Sequence, residues 1–215
     1  EYEAFIDILK SHNIELYFLD GGSKNTIDSI YAHDPFIISN DGAIICNMGK
    51  NNRVSEIENI KIFLKNNDIP ILGEISAPGK LEGGDIVWID KHNIAVGIGY
   101  RSNIEGAKQL GEILSGIVKN VIPVPLPHWN GPSDCLHLMS NLSPIDSNLF
   151  LVYSRLLPVQ FIQYLEENKI ELIEVPFKEY ETMACNVLAI APREVIMLEG
   201  NPITKKLLEK ENVIV

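Results

Sequence analysis

An internal repeat with a period near fifty residues limits what this chain can fold into more than any single motif does. Each copy reads as strand, strand, helix, strand. In the first, the apolar runs Pro35 to Ser39 and Ala43 to Met48 flank Asn40, Asp41 and Gly42, an Asn-Asp-Gly hairpin signal. A helical pattern from about Val54 to Lys65 and the strand Ile69 to Leu72 complete it. The second copy is Ile86 to Ile89, Ile94 to Ile98, a helix from Asn103 and the strand Val121 to Val124. The third begins in the region of Leu136 and continues with Leu149 to Tyr153, a helix after Pro158 and Leu172 to Val175. Val187 to Ile190, Val195 to Leu198, a helix from about Pro202 to Lys210 and Val213 to Val215 make the fourth. Ahead of them lie a helical pattern over Tyr2 to Leu9 and a strand over Ile14 to Leu19, ended by Asp20, Gly21 and Gly22. One such unit cannot bury its own apolar faces, so like units must stack in an array or close into a ring. The chain thus holds four and a half units. A ring would need a fifth hairpin, and the apolar end at Val215 and the start at Glu1 lead us to expect terminal segments outside these residues.

The second unit carries the densest chemistry. In LEGGDIVWIDKHNIAVGIGYRSN, Leu81 to Asn103, two acids and two glycines precede a hairpin whose turn is Asp90 to Asn93; Arg101 follows, and Asn103 is a good N-cap. Aligning the units puts Asp34, Asp85, His137 and Cys185 at or near the start of each first strand, 51, 52 and 48 residues apart. Equivalent strand ends in a ring converge on one axis, so two carboxylates, an imidazole and a thiol would face one cavity. Polar residues also gather at strand ends in unrelated folds, which leaves a purely structural account open. Cys46 reads as a small core residue, and His12, His33 and His92 as solvated or packed.

A chain of 215 residues, 46% hydrophobic, can bury one substantial core, so a single domain over residues 1–215 is expected. The 29 acidic against 18 basic residues give a net charge of -11, which disfavours nucleic acid and anionic membrane and attracts a small cation. Cys46, Cys135 and Cys185 are odd in number and have no CxxC spacing, so neither a disulfide framework nor a zinc site is indicated, and a reducing cytoplasm is expected. No apolar run approaches the length of a membrane span.

The phrases YAHDPFIISNDGAIICNMGKNNRVSE, LEGGDIVWIDKHNIAVGIGYRSN, CLHLMSNLSPID and MACNVLAIAP resemble, in order, the guanidine-modifying branch of the pentein superfamily: arginine deiminase, dimethylarginine dimethylaminohydrolase and amidinotransferases. The resemblance runs from about Ile27 to Val215. It implies a five-bladed α/β propeller of ββαβ repeats, here with one blade incomplete, in agreement with the repeat. It also implies that Asp34 grips a substrate guanidinium, whose forked donors suit a carboxylate. By the same resemblance His137 is the general acid/base and Glu82 orients and charges it, since a carboxylate favours the cationic imidazole. Asp85 lines the pocket, and Arg53 and Arg101 receive a substrate α-carboxylate.

Two positions depart from the pattern. Relatives of the deiminase type have a second aspartate two residues after the histidine; here it is Met139. The family's nucleophilic cysteine follows the strand that here ends at Val215, so it is expected beyond that residue, with Cys185 a neighbour of the site by motif order. The implied activity is cofactor-independent, metal-free hydrolysis of arginine or N-methylated arginine through a thiouronium-type cysteine intermediate, giving a urea-type product such as citrulline. Amidino transfer and a non-catalytic pentein binding module are the alternatives. The expected partner is a small cationic guanidino compound, with a homodimer left open.

Overall fold

The computed structural model describes residues 2–19, 26–134 and 136–215. The end signal Asp20 to Gly22 of the first expected strand lies outside them, as does Cys135. Three repeat units appear as three-stranded sheets of identical topology: an antiparallel hairpin, a helical crossover, and a third strand parallel to the second. A leading helix, α1 (Tyr2–Ser11), precedes them. The first sheet holds β1 (Phe36–Ser39), β2 (Gly42–Ile45) and β3 (Ile71–Glu74), with α2 (Ile57–Asn66) as its crossover. The second holds β4 (Ile86–Asp90), β5 (Asn93–Ile98) and β6 (Asn120–Pro125), joined through α3 (Ile104–Ile113). The third holds β7 (Leu142–Asp146), β8 (Leu149–Val152) and β9 (Glu171–Glu174), joined through α4 (Val159–Glu167). After a short α5 (Phe177–Tyr180) the fourth unit pairs β10 (Leu188–Ala191) with β11 (Glu194–Ile196) and follows with α6 (Pro202–Lys210). Its last strand is reduced to one parallel bridge, Glu194 with Ile214.

Side-chain alternation explains why the units come in series. On β5, Ile94 and Val96 join a core shared with Ile37 and Ile44 of the first unit. Ala95, between them, faces a second core with Phe150, Val152 and Phe161 of the third. Leu151 of β8 turns the opposite way, into a third core with Cys185, Val187 and Leu208 of the fourth. Each inner sheet is therefore buried on both faces, which a period of two along the strand permits only if a neighbouring unit lies on each side.

Local signals account for the joints. Asp90 Oδ1 accepts from the N–H of His92 (2.6 Å) and of Asn93 (3.0 Å), closing the β4–β5 turn. Asn103 caps α3 by accepting the Gly106 N–H at 2.8 Å. Three expectations are corrected. Residues 14–19 form no strand: Tyr17 and Phe18 are exposed, and no neighbouring strand among the described residues supplies a hydrogen-bonding edge. The helix expected from Val54 starts as a 3-10 turn, Asn51–Glu56, and becomes α-helical at Ile57. The third unit's first strand begins at Leu142 rather than near Leu136, because a 3-10 turn over Leu138–Ser140 intervenes, with the His137 N–H donated to Ser140 Oγ at 3.2 Å. Among the described residues no helix is long and apolar enough to cross a membrane.

Candidate active site

The segments ahead of β1, β4 and β7 meet. Asp34, Glu82, Asp85 and His137 are all buried, and they come from three successive units. His137 Nε2 lies 2.9 Å from Glu82 Oε2, and His137 Nδ1 lies 3.9 Å from Asp34 Oδ1. The glycines of EGG make the approach possible. A Cβ on Gly84 would stand 2.2 Å from His137 Nδ1, and one on Gly83 would stand 2.0 Å from the His33 carbonyl oxygen. Gly84 also donates its N–H to Asp34 Oδ1 at 3.1 Å, and Gly83 donates its own to the Asp34 carbonyl at 2.9 Å.

Each carboxylate is held by a different set of donors. Glu82 Oε1 accepts the Lys50 N–H at 2.9 Å, while Oε2 accepts from Arg101 Nη1 at 3.1 Å as well as facing His137. Burial pushes the Glu82 carboxyl up, but the bonds from His137 and Lys50 and the charges of His137 and Arg101 outweigh it, and the group sits below its ordinary value. Asp85 goes the other way. It accepts from Ser102 Oγ (2.6 Å) and the Leu138 N–H (3.0 Å), yet burial dominates and lifts it to about 6. Ser102 Oγ in turn accepts the Glu82 N–H at 3.0 Å, which ties the two acids together.

Arg53 is turned inward. Expected at the α-carboxylate end of a substrate, it instead donates Nη1 to Asp34 Oδ2 (2.5 Å), Nη2 to Glu56 Oε2 (2.9 Å) and the Tyr31 carbonyl (3.0 Å), and Nε to Glu56 Oε2 (3.1 Å). Its side chain is 3% exposed, so its position is that of a residue that orients Asp34. Arg101 keeps a 12% exposed side chain and engages Glu82 through Nη1.

Cys185 does not join the cluster. It packs among Leu151, Tyr153 and Val187, its thiol faces the Leu151 carbonyl at 3.8 Å, and burial pushes that thiol far above its ordinary value. Cys46 is likewise buried and pushed up, with Asp34, Glu82 and Asp85 adding to the effect. Met139 is half-buried against the core between the second and third units. His33, read as solvated or packed, is exposed, and it is its backbone carbonyl that presses on Gly83.

Ligand atoms of Asp34, Glu82 and His137 lie within 4.8 Å of one another, a spacing that would suit a metal ion. Both carboxylates, however, already hold a guanidinium, Arg53 on Asp34 and Arg101 on Glu82, and two fixed cations beside the pocket oppose a dication. What the arrangement offers is an acid/base imidazole backed by an ionised carboxylate, with a second carboxylate able to grip a planar cation.

A fold of ββαβ units whose strand starts unite an acid, a paired histidine and an arginine-paired aspartate is that of the guanidine-modifying branch of the penteins. The family model described as arginine deiminase matches residues 25–162, and the chain belongs to that family. It is 27% identical over 212 residues to N(G),N(G)-dimethylarginine dimethylaminohydrolase from Pseudomonas aeruginosa, covering 98% of this chain and 76% of that protein. With arginine deiminase from Listeria welshimeri it shares 24% identity over 227 residues, covering 85% of this chain and 54% of that protein. A solved structure of the Pseudomonas aeruginosa dimethylaminohydrolase, a mutant complexed with citrulline, superposes with a TM-score of 0.81 at 26% identity, over 100% of this chain and 78% of that one.

Proposed function

We propose that this protein hydrolyses a guanidino compound of the arginine or N-methylated arginine type. The observation that carries the reading is the buried contact of His137 Nε2 with Glu82 at 2.9 Å, with Asp34 3.9 Å from the other ring nitrogen. Asp34, oriented by Arg53, holds the guanidinium. A thiolate attacks the guanidinium carbon and forms a C–S bond; His137 gives its proton to the departing nitrogen as that C–N bond breaks. His137 then takes a proton from water, which attacks the same carbon, and the C–S bond breaks to return the thiolate and release a urea-type product. Cys46 and Cys185 do not suit the attack, since both thiols are buried and held protonated. The reading assigns it to another cysteine, and takes the stacked units as part of a five-bladed ring. Arg101 is the candidate for a substrate α-carboxylate.

Asp34→Asn tests the grip. Hydrogen bonds to charged groups contribute about 1.5–3 kcal/mol, so L-arginine should bind at least about tenfold more weakly by titration calorimetry. Unchanged affinity removes Asp34 from the site. Alkylation with a haloamidine followed by peptide mapping tests the thiol: substrate-protected, stoichiometric modification of Cys185 would overturn its exclusion.

A further inference from the structure

Residues Asn51–Glu56 wind as a 3-10 turn, and at about three residues per turn Arg53 and Glu56 lie one above the other. Glu56 is buried, and both of its oxygens are committed. Oε2 accepts from Arg53 Nε at 3.1 Å and Nη2 at 2.9 Å, and Oε1 accepts from Thr26 Oγ1 at 2.5 Å. The proposed reaction gives this carboxylate no task of its own.

Its effect on Arg53 supplies one. A guanidinium carries its donors in a planar fork, and its strongest embrace of a carboxylate is two parallel bonds. Arg53 turns the Nε–Nη2 edge of that fork to Glu56, and Nη2 also donates to the Tyr31 carbonyl at 3.0 Å. Asp34 therefore receives one bond from this group, Nη1 to Oδ2 at 2.5 Å, instead of a fork. The Gly84 N–H occupies a further position, on Oδ1 at 3.1 Å. An ionised carboxylate has about four lone-pair sites, so about two remain, one on each oxygen, which is what a second forked guanidinium requires. Without the charge of Glu56 that balance fails. The Nε–Nη2 edge would lose its anionic acceptor inside the protein, and Asp34 is the anion already in contact with the same group. Arg53 would then close on Asp34 as a fork and fill the positions left for a ligand.

Resting on the guanidino reading above, we propose that Glu56 is a positioning residue for the ligand: by holding the Nε–Nη2 edge of Arg53 it restricts this internal guanidinium to one bond with Asp34 and keeps the rest of that carboxylate open. Thr26 serves the same end at one remove, because its hydroxyl fixes the Glu56 carboxylate from the other oxygen.

The test is titration calorimetry with L-arginine and with asymmetric dimethylarginine on the unsubstituted protein, Glu56→Gln, Arg53→Leu and the double variant. Glu56→Gln keeps the size of the side chain and removes its charge, and should bind L-arginine about tenfold more weakly, the range for one hydrogen bond to a charged group. On the Arg53→Leu background no guanidinium is left to close on Asp34, and the same change should alter affinity by less than about twofold. A mere field effect of the Glu56 charge would persist on both backgrounds. Equal losses on the two, or no loss on either, would thus overturn the assignment while leaving the guanidino reading intact. Failure of the unsubstituted protein to bind either ligand would instead overturn the guanidino reading, and this assignment with it. Should the Arg53→Leu variants fold poorly, Thr26 decides the matter. Thr26→Ser keeps the hydroxyl and should bind L-arginine within about twofold of the unsubstituted protein, whereas Thr26→Val, of the same shape without it, should bind about threefold or more weakly. A Thr26→Val protein that unfolds at lower urea concentration but binds L-arginine unchanged would refute the positioning role.

Discussion

Replacing Gly84 with alanine adds one methyl group at the most crowded point of the site. The new Cβ would stand 2.2 Å from His137 Nδ1, 2.7 Å from its Cγ and 2.9 Å from Asp34 Oδ1, where ordinary contact begins near 3.4 Å. The imidazole must therefore retreat by about 1.2 Å, or the turn carrying Glu82 must move away from it. Either movement acts on the His137–Glu82 contact, now 2.9 Å, and on the Gly84 N–H bond to Asp34. Gly84 does not have a positive φ, so its backbone accepts alanine and the whole effect falls on packing. Overpacking of this size costs about 1–3 kcal/mol of stability. A misplacement of about 1 Å in a binding constellation costs up to about a hundredfold in function. We expect Gly84→Ala to bind L-arginine at least about tenfold more weakly in calorimetry and to unfold at lower urea concentration. Gly116→Ala, where a Cβ would meet nothing within 4 Å, should change neither. If Gly84→Ala bound L-arginine within about twofold and unfolded with the unsubstituted protein, the close packing of His137 on this turn would be refuted.

Asp85, ordinarily near 3.8, is lifted to about 6 by burial, so the folded protein holds its proton more tightly than the unfolded chain. Its contribution to stability is fully present below about 3.8 and is lost as pH rises through about 6, a change of about 3 kcal/mol at most. Urea unfolding at pH 4.5 and 7.5 should show Asp85→Asn gaining on the unsubstituted protein as pH rises; a constant difference would contradict this. Arg53→Ala strips Asp34 and Glu56 of their shared guanidinium and should cost about 3–5 kcal/mol in the same assay. Because Arg53 acts through Asp34, its truncation should weaken agmatine and L-arginine alike, whereas Arg101→Ala should weaken L-arginine selectively; the reverse pattern in calorimetry would exchange their roles. Iodoacetamide at pH 8 should leave Cys46 and Cys185 unmodified in the native protein and label both in urea, and rapid native labelling of Cys185 in mass mapping would show its thiol to be accessible after all.

Local pattern carried the repeat. Alternating apolar runs around Asp-, Asn- and Gly-containing turns mark β1–β2 and β4–β5 without any knowledge of the third dimension, because turn chemistry and side-chain period are properties of a few adjacent residues. The same locality marked Asn103 as a cap and Pro158 as the start of α4. Spacing of the repeat also indicated that Asp34, Asp85 and His137 would come together, since equivalent ends of stacked units share a side. Pairing was beyond it. Residues 14–19 have the composition of a strand, yet a strand exists only where another edge accepts its hydrogen bonds. Which charge meets which is likewise decided between units: Arg53 could face a ligand or Asp34 with the same sequence, and the fold turns it to Asp34 and Glu56. Cys185 shares the periodic position of His137, but the third core closes over it and removes it from the site. Gly83 shows the converse, an unremarkable letter in the chain that matters because it leaves room for the backbone of His33, fifty residues earlier, to press against the turn of Glu82.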